Sequence, residues 1–127
     1  MWNGERRMAM TDREQLEKRT KEFTLGVARF VSSLPKTKLA DVMGSQLLRS
    51  GTSIGANDRE AGRAESHADF IHKIGIVEKE ASETQYWLEL FKEGGIGDPQ
   101  EVAALLEEAT QLVAIFTASG KTAKSRR

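Results

Sequence analysis

Two histidines, a cluster of serines and a scattered set of arginines are the residues of this chain whose chemistry could reach beyond packing. His67 and His72 are five apart and do not share a helix face. A di-metal centre in a helical bundle needs a Glu-x-x-His pair on each of two helices and a Glu from each of the other two. The sequence offers one imperfect copy, Asp69-x-x-His72, so no metal site is expected and both histidines read as surface residues. The absence of cysteine excludes a disulfide scaffold, a Cys-ligated zinc or iron–sulfur centre and a thiol nucleophile. Ser45, Ser50 and Ser53 lie close together, yet no Gly-x-Ser-x-Gly elbow presents any of them. Gly120-Lys121-Thr122 has the ending of a phosphate loop without the earlier glycine. Glu78, Glu80, Glu83 and Glu89 read as a solvated acidic face. Neither catalysis nor a cofactor is expected.

The basic residues leave two readings open. Arg49, Arg59 and Arg63 fall in one region, with Lys73 shortly after, and Lys121, Lys124, Arg126 and Arg127 crowd the carboxyl end. Asp58, Glu60 and Glu65 are interleaved with the first group, which suits salt-bridging at one end of a bundle. Arginine also suits phosphate, through its planar, two-pronged donor geometry. Over the whole chain, 19 Lys and Arg balance 19 Asp and Glu, which argues against a uniformly basic nucleic-acid coat and leaves room for a local patch. The distribution is uneven. The stretch 78–108 is strongly acidic, with Lys79 and Lys92 as its only bases, and nothing acidic follows Ser119.

The elements that must position these residues are helices. A length of 127 residues suits one domain with its own core. No window alternates as a half-buried strand does, no apolar run approaches the roughly 20 residues of a membrane span, and no signal-peptide h-region is visible. A soluble cytoplasmic protein is expected, with a flexible extension over 1–10, a four-helix bundle over 11–118 and a disordered basic tail over 119–127.

The first helix is expected from Thr11 or Asp12 to Leu34, with Leu16, Phe23, Val27, Phe30, Val31 and Leu34 forming one stripe, and Pro35 ends it. The second, about 38–62, starts amphipathically with Leu39, Val42, Met43, Leu47 and Leu48. It then turns small through Ser50-Gly51-Thr52-Ser53-Ile54-Gly55-Ala56. That tract is either a loop or, as the flanking residues favour, a helix whose small face admits a close neighbour. In the third, Ser66 and Asp69 resemble a capping box, and Phe70, Ile74, Val77, Ala81, Thr84, Leu88 and Phe91 make a heptad seam that Gly94-Gly95 stops. The fourth opens at Asp98-Pro99, carries Val102, Leu105, Ala109, Leu112 and Phe116, and fades at Ser119-Gly120. Four helices with short connections predict an all-α, antiparallel up-down-up-down bundle. Ile71, Tyr86, Trp87 and Leu90 lie off the seam, and large apolar residues outside a core predict a subunit interface, hence a homo-oligomer.

The stretch Gln46-Leu47-Leu48-Arg49-Ser50-Gly51-Thr52-Ser53-Ile54-Gly55-Ala56-Asn57, followed by Arg59-Glu60-Ala61, resembles the signature of the four-helix-bundle proteins encoded by 23S rRNA intervening sequences. Asp69-Phe70-Ile71 and Glu80-Ala81-Ser82-Glu83-Thr84 are similar to that family's third helix, and Leu34-Pro35 to the end of its first. The likeness spans about Arg19 to Phe116. It implies assembly into a homopentamer and kinship with accessory proteins of diversity-generating retroelements, which bind nucleic acid and partner with a reverse transcriptase. The neutral charge does not suit a ribosomal protein.

Within the resemblance, Arg49, Ser53, Asn57 and Glu60 are signature residues with structural roles. Ser53 and Asn57 are expected to hydrogen-bond across a close helix contact, and Glu60 to pair with Arg49 or Arg63. Asp58 stands where the family has a large apolar residue, so burial there requires a charged partner such as Arg59, Arg63 or a neighbouring subunit. Residues 1–18 have no counterpart in the pattern. The expected function is a non-enzymatic oligomeric module binding RNA, or DNA, through the arginines of the second helix and the basic tail. The alternative is a protein-interaction scaffold without nucleic acid.

Overall fold

The seam of the third helix fixes the architecture. Phe70, Ile74, Val77, Ala81, Thr84, Leu88 and Phe91 step at alternating intervals of four and three, and all seven are buried. In a computed structural model, residues 6–126 form α1 (Arg6–Ser32), α2 (Lys38–Ala61), α3 (His67–Gly94) and α4 (Pro99–Ser125). The fold is all-α, with no strand among the described residues. α1 packs on α2, α2 on α3 and α3 on α4, while α4 returns to touch α1.

Local chemistry sets the helix ends. Thr37 caps α2, its hydroxyl accepting from the Ala40 amide at 3.1 Å, and Ser66 caps α3 by accepting from Asp69. The Asp69 carboxylate reaches back to the Glu65 amide rather than to that of Ser66, so the capping box is displaced by one residue. Gly95 closes α3 in the left-handed conformation, φ 65°. Asp98 precedes Pro99 at the head of α4 but makes no side-chain cap bond.

Two boundaries differ from the sequence expectation. α1 begins at Arg6 instead of Thr11 or Asp12, so part of the expected flexible extension is helical, and Met1–Glu5 lie outside the described residues. α4 does not fade at Ser119. It runs to Ser125, and the stretch expected to be a disordered tail is helical because Gly120 and Ala123 are buried and hold its last turns on the bundle. Against the expectation of no such run, α4 is long and apolar enough to cross a membrane by length and composition alone. Val102, Ala109, Leu112 and Phe116 nevertheless face the bundle core.

The small tract of α2 is helix, the second of the two readings. A Cβ added at Gly51 would lie 3.1 Å from Val27 Cγ1, so the absence of a side chain there lets α1 and α2 approach closely without displacing Val27. Beside it the core contains a polar pair. The buried hydroxyl of Thr84 reaches the buried hydroxyl of Ser50 at 2.9 Å and the Glu80 carbonyl at 2.8 Å. Thr84→Val leaves Ser50 with only its 3.4 Å contact to the Leu47 carbonyl. A loss of about 1–2 kcal/mol in urea unfolding is expected, and most of it is recovered in the double variant Ser50→Ala/Thr84→Val, because a buried unpaired hydroxyl costs more than none.

Candidate nucleic-acid interface

Three long-range contacts show where the bundle gathers its basic residues. Arg13 of α1 meets Asp58 of α2 at 3.0 Å, Lys73 of α3 lies 3.9 Å from Glu60 of α2, and His67 Nε2 sits 2.7 Å from the Ala123 carbonyl of α4. The start of α1, the end of α2, the start of α3 and the end of α4 therefore share one region. Arg59, Arg63, Lys73, Lys121, Lys124 and Arg126 are brought to it, although nearly 50 residues separate the two groups in sequence. Arg127 lies outside the described residues.

Arg49 is placed elsewhere. It lies a few turns up α2 and pairs across to α3, with Glu80 at 3.4 Å and with Glu83, while Trp87 donates its indole N–H to Glu83 at 3.2 Å. The hydrogen bond from Arg49, reinforced by that from Trp87, holds the Glu83 carboxyl below its ordinary value, and Glu83 in return holds the Arg49 guanidinium above its own. Of the basic group, Arg59 is exposed and loosely held by Glu17 at 3.8 Å. Lys73 is shared between Glu60 and Asp69. Arg63 and Lys121 are exposed with no ion-pair partner among the described residues. The first reading, salt-bridging, thus describes Arg49, Arg59 and Lys73, and Arg63 and Lys121 are left for solvent or ligand.

Several expected roles change. Ser53 donates to the Arg49 carbonyl at 2.7 Å and Asn57 to the Ser53 carbonyl at 2.8 Å, so both bond along their own helix rather than across to a neighbour. Glu60 pairs with Lys73 instead of Arg49 or Arg63, because the end of α2 lies against the start of α3. His67 is half-buried and bound to α4, not a surface residue, whereas His72 is exposed as expected.

Asp58 is fully buried, and its partner is Arg13, none of the candidates that its neighbours suggested. The Arg13 guanidinium also donates to the Asp58 carbonyl at 2.8 Å and lies 4.0 Å from Glu17. Burial raises the Asp58 carboxyl to about 6 against the pull of the Arg13 charge and hydrogen bond, with the nearby Glu17 charge adding to the rise. A signal for this pair was present in the sequence. Asp58 continues the buried stripe Leu47, Gly51, Ile54, Ala61 at helical spacing, and Arg13 extends the α1 stripe Thr20, Phe23, Val27, Phe30 one heptad toward the amino end.

Four packed helices with a charged end, and no metal-holding cluster of His, Cys, Asp or Glu among the described residues, define a four-helix bundle protein. The chain belongs to the 23S rRNA-intervening sequence protein family, whose pattern matches residues 14–118. It is similar to a solved structure from Bacteroides thetaiotaomicron, a protein of unknown function from the S23 ribosomal protein family. The two share 37% identity over 83% of this chain and 97% of that one, with a TM-score of 0.76. No curated protein matches the chain. Neither name carries a sign of enzymatic activity.

Proposed function

We propose that this protein is a non-enzymatic, cytoplasmic RNA-binding accessory of the 23S rRNA intervening-sequence type, an antiparallel up-down-up-down bundle assembled as a homopentamer. One observation carries the RNA reading: the fold collects Arg59, Arg63 and Lys73 with Lys121, Lys124 and Arg126 at one end. Separated in sequence, these residues form a local patch on a chain of zero net charge, which suits phosphate contact without a basic coat. Arg49 is left out of the contact because Glu80 and Glu83 already occupy its guanidinium. The pairings from α1 to α2, α2 to α3 and α3 to α4 support the alternating direction of the helices.

Of the residues off the α3 seam, Ile71, Trp87 and Leu90 pack against the bundle core, and self-association is supported by Tyr86 with Leu39 and Val42, which are 53%, 60% and 52% exposed. Light scattering should give about 70 kDa, five copies of the 14.1 kDa chain. On protein of that mass, fluorescence anisotropy with a structured RNA and a duplex DNA is expected to show RNA binding. Arg59→Ala/Arg63→Ala should weaken it about tenfold or more, and Arg49→Ala should leave it within about twofold. Failure of the intact oligomer to bind RNA at low salt would overturn the RNA reading and leave a protein-docking scaffold.

A further inference from the structure

Between α1 and α2, just above the basic end, the small side of α2 leaves a groove of about 370 Å³ that no side chain fills. Its floor is Gly55, whose missing Cβ would sit 3.4 Å from the Thr24 hydroxyl and 3.5 Å from the Thr20 carbonyl. Lys21 of α1 stands on one side, and on the other Arg59 of α2 and Arg63, just past its end. Thr24 and Thr52 add hydroxyls at the rim.

Three features of this groove suit an anion. First, its cations are largely uncommitted. Lys21 and Arg63 have no ion-pair partner among the described residues, and Arg59 holds Glu17 only at 3.8 Å. Second, its three cations outnumber its two acids, Glu17 and Glu60, each of which has a cation no nearer than 3.8 Å. Third, the hydroxyls have weak partners. Thr24 reaches the Gly51 carbonyl at 3.5 Å and Thr52 the Arg49 carbonyl at 3.3 Å, both well beyond the usual O–H···O length of about 2.7–2.8 Å. Such hydroxyls exchange a poor carbonyl contact for a charge-assisted bond to a phosphate oxygen at little cost.

The geometry points to this groove as a seat for the phosphate backbone of a bound RNA strand, with Lys21, Arg59 and Arg63 neutralising neighbouring phosphates and Thr24 and Thr52 donating to their oxygens. The inference rests on the RNA reading and deepens it. It adds Lys21, Thr24 and Thr52, residues of α1 and mid-α2, to a patch otherwise built at the helix ends.

The test uses the full chain and a fluorescein-labelled single-stranded RNA of about 12 nucleotides, titrated at several salt concentrations. Lys21→Met should weaken binding about five- to tenfold and flatten the slope of log affinity against log salt by roughly 0.7, the value for one single-strand phosphate. Thr24→Val/Thr52→Val should weaken binding about threefold with the slope unchanged, since no charge is lost. Lys92→Met, at the last turn of α3, should behave as the parent chain. Light scattering and thermal unfolding must show each variant folded and of parental mass, and Lys21 and Thr52 are not core residues. Parental affinity and slope in Lys21→Met, while Arg59→Ala/Arg63→Ala still weakens binding, would overturn the groove and leave the RNA reading standing. No RNA binding by the parent chain would overturn the RNA reading itself.

Discussion

Replacing Arg13 by Met is expected to cost about 3 kcal/mol of stability near pH 7.5 and only about 1 kcal/mol near pH 4.5. The carboxyl of Asp58 sits at about 6 in the fold against an ordinary value of 3.8. Between those values the native chain holds a proton that the unfolded chain has released, so this group lowers stability as pH rises from about 4 through 6, by about 3 kcal/mol in all. Arg13 is the interaction that opposes the rise. Without it the carboxyl moves further up, the window widens toward alkaline pH, and the deficit of the variant grows with pH. At acid pH Asp58 is neutral and needs no cation, so what remains is the lost hydrogen bond to the Asp58 carbonyl. Arg13→Met/Asp58→Leu should return to within about 1 kcal/mol of the parent at either pH, because apolar residues replace a buried ion pair at little cost. Urea unfolding at the two pH values checks this. Equal losses at both would show that the Arg13–Asp58 charge interaction is not what holds the start of α1.

Phe30→Ala is expected to destabilise the bundle by about 3–5 kcal/mol, against less than about 0.5 kcal/mol for Leu25→Ala on the exposed side of the same helix. Phe30 is 2% exposed and meets Phe91 edge-on, the ring centroids 5.3 Å apart, so its loss removes core volume and an aromatic pair together. It also supports the connection from α3 to α4. Gly97 adopts φ 84°, and a Cβ there would lie 2.7 Å from the Phe30 ring. Gly97→Ala is therefore unfavourable twice over, by conformation and by collision. In the Phe30→Ala background the collision with the ring disappears, leaving the conformational cost and a 3.3 Å approach to Leu34, so the combined loss should be less than the sum of the two. Phe30→Leu, expected to lose about 1–1.5 kcal/mol, keeps the measurement possible if the alanine variant unfolds. Additive losses for Phe30→Ala and Gly97→Ala would contradict the contact.

Much of this fold is legible in the pattern of apolar residues. Every member of the α3 seam that periodicity selects is buried, and so are Val102, Ala109, Leu112 and Phe116 of α4. Periodicity works there because each helix buries one stripe against neighbours of similar length. It fails at α4's end because Gly120 and Ala123 are too small to register as an apolar stripe, yet their size lets the last turns dock. Asp58 and Arg13 share the stripes of α2 and α1, but a charge on an apolar stripe names no partner, and the two are 45 residues apart. The candidate interface is legible in part. Residue type marks Arg59, Arg63 and the carboxyl-terminal bases as candidates. Only the packing of the start of α3 against the ends of α2 and α4 shows that they meet, and that Arg49 is occupied by Glu80 and Glu83. Lys21 escapes notice in sequence because nothing about it differs from any other exposed helix lysine until the groove at Gly55 is seen.

The salt dependence of RNA affinity tests the central claim most directly. If the basic end and the groove above it neutralise three or more phosphates, log affinity should fall with log salt at a slope of about −2 or steeper for single-stranded RNA. Removing Arg59 and Arg63 together should flatten that slope by about 1.4. A parent chain whose affinity is insensitive to salt, or a variant lacking both arginines with the parental slope, would contradict phosphate recognition at this end of the bundle.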